Sequence, residues 1–199
     1  MKNKFVILFC LFDLFSSTIC HASNVNDFCK ADLKGPDSPK GYHCLPPETV
    51  TASDFKYSLL TRNVSIPVGV TASGSTVNES PILNGIGISV GRLEIERGGF
   101  FPMHIHPGGH ELLIVHEGEM TVGIVTPTNA YVNTLKPGDL MALPQSQMHF
   151  LVNSGKGKAV GYAIYGSANP RLQFLYQNLF GNNVTSELIA QTTFLDVDQ

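Results

Sequence analysis

The stretch Gly98-Gly-Phe-Phe-Pro-Met-His104-Ile-His106-Pro-Gly-Gly-His-Glu111-Leu-Leu-Ile-Val-His-Glu-Gly118 decides how the rest of the chain is read. Side chains of an extended backbone alternate from face to face, so His104 and His106 present both imidazoles on one side. Pro107-Gly-Gly109 then bends the chain, which lets Glu111 at the start of the next apolar run swing back toward them. Two nitrogen donors and a carboxylate on one face are part of a coordination sphere for a divalent metal. A second segment reads Pro137-Gly138-Asp-Leu-Met-Ala-Leu-Pro144-Gln-Ser-Gln-Met-His149-Phe-Leu-Val-Asn153. Here His149 follows a turn-flanked strand and is predicted to supply a third imidazole from the opposite side of a barrel. A histidine in a strand is more often a hydrogen-bonded residue than a ligand, and the chain has seven. His21, His43, His110 and His116 have no comparable arrangement and read as leader, surface or packing residues.

Outward from these segments the chain is punctuated for short strands. Ile86, Ile88 and Val90 alternate, then Leu93 and Ile95 continue in the other phase, which predicts a bulge at Gly91. Met120, Val122 and Ile124 alternate after Gly118, and Ala159-Val-Gly-Tyr-Ala-Ile-Tyr165 reads as a further strand. Pro127, Asn129, Pro137-Gly138 and Pro144 mark turns between them. Only Ser186-Glu-Leu-Ile-Ala-Gln191, after a polar start, reads as helix. Closely spaced strands without intervening helices predict an antiparallel barrel or jelly roll. Residues 23–56 carry Pro36, Pro39, Gly41, Pro46 and Pro47 and are predicted to be an irregular arm. Of 199 residues, 43% are hydrophobic and 15% charged, enough apolar material for a core and too little charge for a disordered chain. The net charge of −3 leaves no basic surplus to neutralise a phosphate backbone, which argues against nucleic acid as a partner.

The first residues belong to a different category. Lys2 and Lys4 precede the apolar run Phe5-Val-Ile-Leu-Phe-Cys-Leu-Phe12, and Ser16-Ser-Thr-Ile-Cys-His-Ala22 ends in a small residue. That is the pattern of a signal peptide over residues 1–22, and the run is too short to span a bilayer. An N-terminal membrane anchor is the competing reading. With Cys10 and Cys20 in the leader, the mature chain keeps Cys29 and Cys44, a pair most simply joined as a disulfide in an oxidising compartment. Free thiols or half of a metal site are the alternatives. Asn63-Val-Ser65, Asn78-Glu-Ser80 and Asn183-Val-Thr185 are acceptor sequences for N-linked glycans.

Taken together, the first segment fits the cupin pattern G-x5-H-x-H-x4-E-x6-G through Gly98, His104, His106, Glu111 and Gly118. The second fits G-x5-P-x-G-x2-H-x3-N through Gly138, Pro144, His149 and Asn153, with Ser146 where a glycine is usual. Asp27-Phe-Cys29-Lys-Ala-Asp32, Gly41-Tyr-His-Cys44, Val50-Thr-Ala-Ser-Asp-Phe55 and Asn84-Gly-Ile-Gly-Ile-Ser-Val-Gly-Arg92 are similar to germins. The chain therefore resembles the plant germin-like proteins over its whole mature length. Pro-Met-His-x-His-Pro-Gly is most similar to their auxin-binding-type subgroup. The resemblance implies a mainly β, single-domain cupin jelly-roll barrel over residues 57–199, a disulfide-tied N-terminal arm over 23–56 and short C-terminal helices. It implies one manganese ion per subunit held by His104, His106, Glu111 and His149, although imidazole also suits zinc, iron and copper. It further implies an apoplastic glycoprotein with a role in defence, assembled as a hexamer of interlocking dimers, with a small anion as ligand or substrate at the metal. Some germins oxidise oxalate and carry asparagines at the positions of Phe101 and Gly91; their replacement here argues against that activity. Other members are described as superoxide dismutases. A non-enzymatic cell-wall role, or binding of an auxin-like carboxylate, is the alternative from a different class.

Overall fold

Two antiparallel sheets close around one apolar interior in the computed structural model, which describes residues 27–38, 40–60 and 63–195. The leader reading, with Cys10, Cys20 and His21, lies outside the described residues. In the arm, β1 (Asp37–Ser38) pairs with β2 (Gly41–Tyr42). The barrel strands are β3 (Val64–Ile66), β4 (Val70–Ser75), β5 (Ser89–Ile95), β6 (Phe100–Ile105), β7 (Glu111–Glu117) and β8 (Met120–Val125). They continue as β9 (Ala130–Leu135), β10 (Leu140–Leu143), β11 (His149–Asn153), β12 (Ala159–Tyr165) and β13 (Gln173–Phe174). Helices α1 (Leu175–Phe180) and α2 (Ser186–Thr193) end the described chain. The strand order is β10-β7-β12-β5-β4-β3 in a six-stranded sheet and β13-β6-β11-β8-β9 in a five-stranded one. Consecutive strands repeatedly cross from one sheet to the other, which is the jelly-roll arrangement.

Period-two alternation explains which side chains fill the interior. Leu93, Ile95, Leu113 and Val115 point inward from the six-stranded sheet; Phe101, Met120, Val122 and Leu151 meet them from the five-stranded one. Each such side chain contributes roughly 1.5–3 kcal/mol by leaving water. At Gly118, between β7 and β8, a Cβ would stand 2.6 Å from the Lys158 carbonyl oxygen, and φ is 73°. Only glycine fits that crossing point.

Three readings of the pattern are corrected. Gly91 is no bulge: β5 pairs without interruption against β12 from Ser89↔Tyr165 to Ile95↔Ala159. Its inward positions are Ser89, Gly91, Leu93 and Ile95, so the apparent phase change came from Ile86 and Ile88, which precede the strand and are exposed. Strands begin earlier than Ile86, where the alternation first becomes legible, because Val64-Ser-Ile66 alternates over only three residues and Val70-Thr-Ala-Ser-Gly-Ser75 is mostly small. Helix α1 was hidden because it has no side-chain cap and no polar face in Leu-Tyr-Gln-Asn-Leu-Phe. The helix expected after residue 185 is present, with the Thr185 hydroxyl accepting from the Leu188 N–H at 3.4 Å.

The arm is fastened to the barrel beside its disulfide. Cys29 and Cys44 are bonded at 2.05 Å, closing a loop with a sequence separation of 15. In the chain-entropy account a loop of that size contributes about 3 kcal/mol. Asn84, only 4% exposed, donates from Nδ2 to the Tyr42 carbonyl at 2.8 Å and to Cys29 Sγ at 3.0 Å, and its Oδ1 accepts from the Tyr42 N–H at 3.1 Å. One amide thus joins disulfide, arm and barrel.

The departure of Ser146 from the usual glycine has a conformational consequence. Ser146 has φ of 59°, in the left-handed region, while its N–H donates to the His106 carbonyl at 3.1 Å. That conformation costs an L-residue about 1–2 kcal/mol, partly offset by the lower entropy of serine in the unfolded chain. Ser146→Gly should therefore raise stability by about 0.5–1 kcal/mol, a Tm gain of roughly 2 °C in calorimetry. A lower Tm would show that the turn is unstrained.

Candidate metal centre

The cluster is assembled from both sheets. His104 lies on β6 and His149 begins β11, and the two are paired in register. His149 therefore comes from the strand beside His104, not from the opposite side of the barrel as the sequence predicted. Glu111, the first residue of β7, is the group that crosses from the other sheet. His106 sits just beyond the end of β6. All four are buried, and one ligand atom from each lies within 4.8 Å of the others.

The turn that delivers Glu111 needs its glycines. A Cβ on Gly108 would come within 2.3 Å of the Asn169 carbonyl oxygen, and one on Gly109 within 2.8 Å of Ser167 Cβ. Residues 166–171 pack that closely against the turn, and the Gly108 N–H donates to the Pro170 carbonyl at 2.8 Å. The same approach carries the Arg171 carbonyl to His106 Nδ1. His104 Nδ1 donates to the Pro102 carbonyl at 2.7 Å, and His149 Nδ1 to the Gln147 carbonyl at 2.8 Å. A carbonyl can only accept, so each Nδ1 carries the hydrogen and each neutral ring turns a bare Nε2 inward.

The centre is thus a convergence of acceptors. His106 Nε2 and His149 Nε2 stand 3.1 and 3.3 Å from the same Glu111 Oε2. Among the described residues, Glu111 Oε2 and His149 Nε2 have no hydrogen-bond partner. Burying an uncompensated carboxylate costs several kcal/mol, and lone pairs facing one another add to that. A cation resolves both, and three imidazoles with one carboxylate suit a first-row divalent metal. The residues fit the ion.

Neighbouring rings set the polarity. His104 lies against Phe101, centroids 4.7 Å apart, and Phe174, 5.9 Å apart. Burial, with the adjacent His149 and His106, lowers its pKa from 6.5 to about 3, so it stays neutral. Burial pushes the Glu111 carboxyl up, but a proton carried on Nε2 of His106 or His149 in acid draws it down past its ordinary 4.5 to about 2. Tyr165, in register with Glu111, has its ring 4.8 Å from that of His106. Burial and the Glu111 charge raise its phenol well above 10.

Sequence reading found all four cluster residues and missed what orients them. Pro102 and Gln147 each lie two residues before the histidine they hold, a repeated local signal visible only once the hydrogen bonds are known. Arg171 is 65 positions from His106 and has no sequence signal at all. The histidines left out of the site stay out. His43, His110 and His116 are exposed; His110 Nδ1 accepts from the Gln145 N–H at 3.0 Å, and His116 packs on Tyr162. Asn63, Asn78 and Asn183 are exposed as well.

Both depressed pKa values act in the same direction. Between about pH 6.5 and 3 the unfolded chain protonates His104 and the fold does not; between 4.5 and about 2 the same holds for Glu111. Stability of the metal-free protein is then fully present above about pH 6.5 and falls with acidification. Chelator-treated protein should show a Tm that declines from pH 6.5 downward, and His104→Gln should flatten the upper part of that decline. A pH-independent Tm over this window would contradict the burial of a neutral His104.

Relatives fit this geometry. The cupin family model matches residues 57–199. The chain is 43% identical to auxin-binding protein ABP20 of Prunus persica over 198 residues, 98% of this chain and 91% of that protein. It is 44% identical to germin-like protein subfamily 3 member 3 of Arabidopsis thaliana over 185 residues, 90% of this chain and 86% of that one. A solved oxalate oxidase superposes with a TM-score of 0.80 at 30% identity, covering 87% of this chain and 91% of that chain. With matches of this extent over a jelly roll that buries three histidines and a glutamate together, the chain belongs to the germin-like proteins of the cupin family.

Proposed function

We propose that this chain is a secreted, manganese-binding germin-like glycoprotein of the plant apoplast, active in defence and without oxalate oxidase activity. The observation that carries the reading is the buried convergence of His104, His106, Glu111 and His149, with a carboxylate oxygen and an imidazole nitrogen left unpartnered. Bound there, manganese would supply a redox-active cation with coordination positions left open. His104, His106 and His149 would hold it through Nε2, and the carbonyls of Pro102, Arg171 and Gln147 fix the rings. Secretion is supported by the leader pattern of residues 1–22, the Cys29–Cys44 disulfide and the exposed acceptors Asn63, Asn78 and Asn183. No helix among the described residues is long and apolar enough to cross a membrane.

Assembly into a homo-oligomer, a hexamer of three dimers, is part of the reading. Its support is apolar surface: Ala142, Leu112 and Ile164 lie in register on the outer face of the six-stranded sheet, with Ile88 and Leu140 exposed nearby. Tyr176, Phe180, Leu188 and Phe194 are exposed on and after the C-terminal helices.

Superoxide dismutation is the activity that asks least of the surrounding residues: a redox-active metal and access for a diatomic anion. Oxalate oxidation asks more, because a dianion must be held in one orientation. Phe101 places a phenyl ring against His104, and Gly91 offers no side chain. Two missing hydrogen bonds to charged oxygens, at roughly 1.5–3 kcal/mol each, amount to about a hundredfold or more in rate. Binding of an auxin-like carboxylate without turnover is the second reading, favoured by the aromatic surroundings of Phe101, Phe174 and Tyr165 and by the 43% identity to a protein named auxin-binding.

Elemental analysis tests the metal assignment. His104→Ala, His106→Ala, Glu111→Ala and His149→Ala should each lower metal content by more than the roughly 10–100-fold affinity loss that follows removal of an outer partner. His110→Ala and His116→Ala should leave it unchanged. A variant that keeps full metal removes that residue from the set.

Hydrogen peroxide release from oxalate, measured on manganese-loaded protein at mildly acidic pH, should be at least about a hundredfold below that of an oxalate-oxidising germin. Superoxide dismutation measured on the same preparation separates the enzymatic reading from the binding one. Oxalate turnover equal to that of the authentic enzyme would overturn the assignment of Phe101 and Gly91.

A further inference from the structure

Inward residues of the six-stranded sheet lie in cross-strand rows. The row beside the metal centre runs Ser89, Tyr165, Glu111 and Leu143. The next runs Gly74, Gly91, Ala163, Leu113 and Met141, so three of its five members are small and leave a shelf in the wall. Tyr165 lies across that shelf. A Cβ on Gly91 would stand 3.6 Å from both Cε2 and the hydroxyl oxygen of Tyr165, so a larger side chain there would have to displace the ring. On its other side the ring lies 4.8 Å from His106.

Several polar hydrogens around the centre are already spent. The Ser89 hydroxyl donates to the Ser167 carbonyl at 2.7 Å, and the Asn153 amide to the carbonyls of Ile95 and Gly157. The Gln147 amide donates to the Val125 carbonyl. Phe101 and Phe174 carry no donor. The Tyr165 hydroxyl has no hydrogen-bond partner among the described residues. Its side chain is half-buried, so the O–H stays open to an incoming group.

Resting on the metal-centre reading, we propose that Tyr165 determines which ligand the centre accepts. Its phenol O–H donates to a monoanionic oxygen ligand, such as a single carboxylate, held at His104, His106, Glu111 and His149. Its ring fills the shelf over Gly91 that the second carboxylate of a dianion would occupy. The hydroxyl is a ligand-positioning group supplied from β12, in place of an amide on β5.

Wild-type, Tyr165→Phe and Tyr165→Leu proteins, loaded with Co(II) as a spectroscopic probe, are titrated with acetate and with oxalate while the visible bands of the metal are followed. All three should hold equal metal, because Tyr165 is not a ligand. Tyr165→Phe, which keeps the ring, should weaken acetate binding by about tenfold or more, as expected for a lost hydrogen bond to a charged group, and should still disfavour oxalate. Tyr165→Leu should lose acetate affinity equally but gain oxalate relative to acetate, because the shelf is opened. Acetate affinity in Tyr165→Phe within about twofold of wild type would overturn the donor role, and oxalate binding in wild type as tight as acetate would overturn the steric one. Wild-type protein that takes up no cobalt would overturn the metal centre and this role with it. Matched metal contents with unmoved anion affinities would overturn the role of Tyr165 alone.

Discussion

Four acceptors aimed at one point inside a barrel are the constraint on which this molecule turns. Glu111 stays ionised at neutral pH and His104 stays neutral, while each of the three rings has already committed its Nδ1 hydrogen to a backbone carbonyl. Nothing among the described residues supplies the positive charge that such a set requires, and a divalent ion does. The surrounding jelly roll is the means of holding the set still. His104 and His149 are fixed relative to each other by the β6–β11 pairing, and Glu111 reaches them from β7 in the opposing sheet. Both sheets must close for the site to exist, so metal binding and barrel stability are thermodynamically linked.

The turn between β6 and β7 carries much of that burden. Gly108 and Gly109 allow residues 166–171 to settle against it, and the settled segment presents the carbonyl that orients His106. Ser146 closes the opposite edge through its bond to the His106 carbonyl, at the expense of a left-handed conformation. Strain is accepted there because the position of His106 depends on it. The aromatic rings Phe101, Phe174 and Tyr165 keep the surroundings apolar, which strengthens every electrostatic interaction at the centre. They also leave one uncommitted donor, the phenol of Tyr165.

How far the sequence revealed this depends on the range of the interaction. His104, His106 and Glu111 were legible because their spacing is local and strand alternation fixes which way they face. His149 was legible as a ligand but misplaced in space, since strand order within a sheet is a long-range property that spacing alone does not encode. Gly91 was misread because apolar Ile86 and Ile88 imitate a strand that begins only at Ser89. Strand β3 was missed because it is only three residues long, and β4 because Ala72 and Gly74 on its inward face are small, Gly74 lying where the shelf beside Tyr165 needs space. The residues that tune the site, Arg171 and Tyr165, act through backbone carbonyls and cross-strand rows, and such contacts leave no motif.

Anomalous diffraction from crystals of the purified protein, recorded on both sides of the manganese absorption edge, tests the central claim most directly. The account predicts one peak per subunit, bounded by the Nε2 atoms of His104, His106 and His149 and by Glu111 Oε2, that vanishes below the edge. No peak among these four residues, or a metal bound elsewhere while Glu111 is protonated, would contradict it.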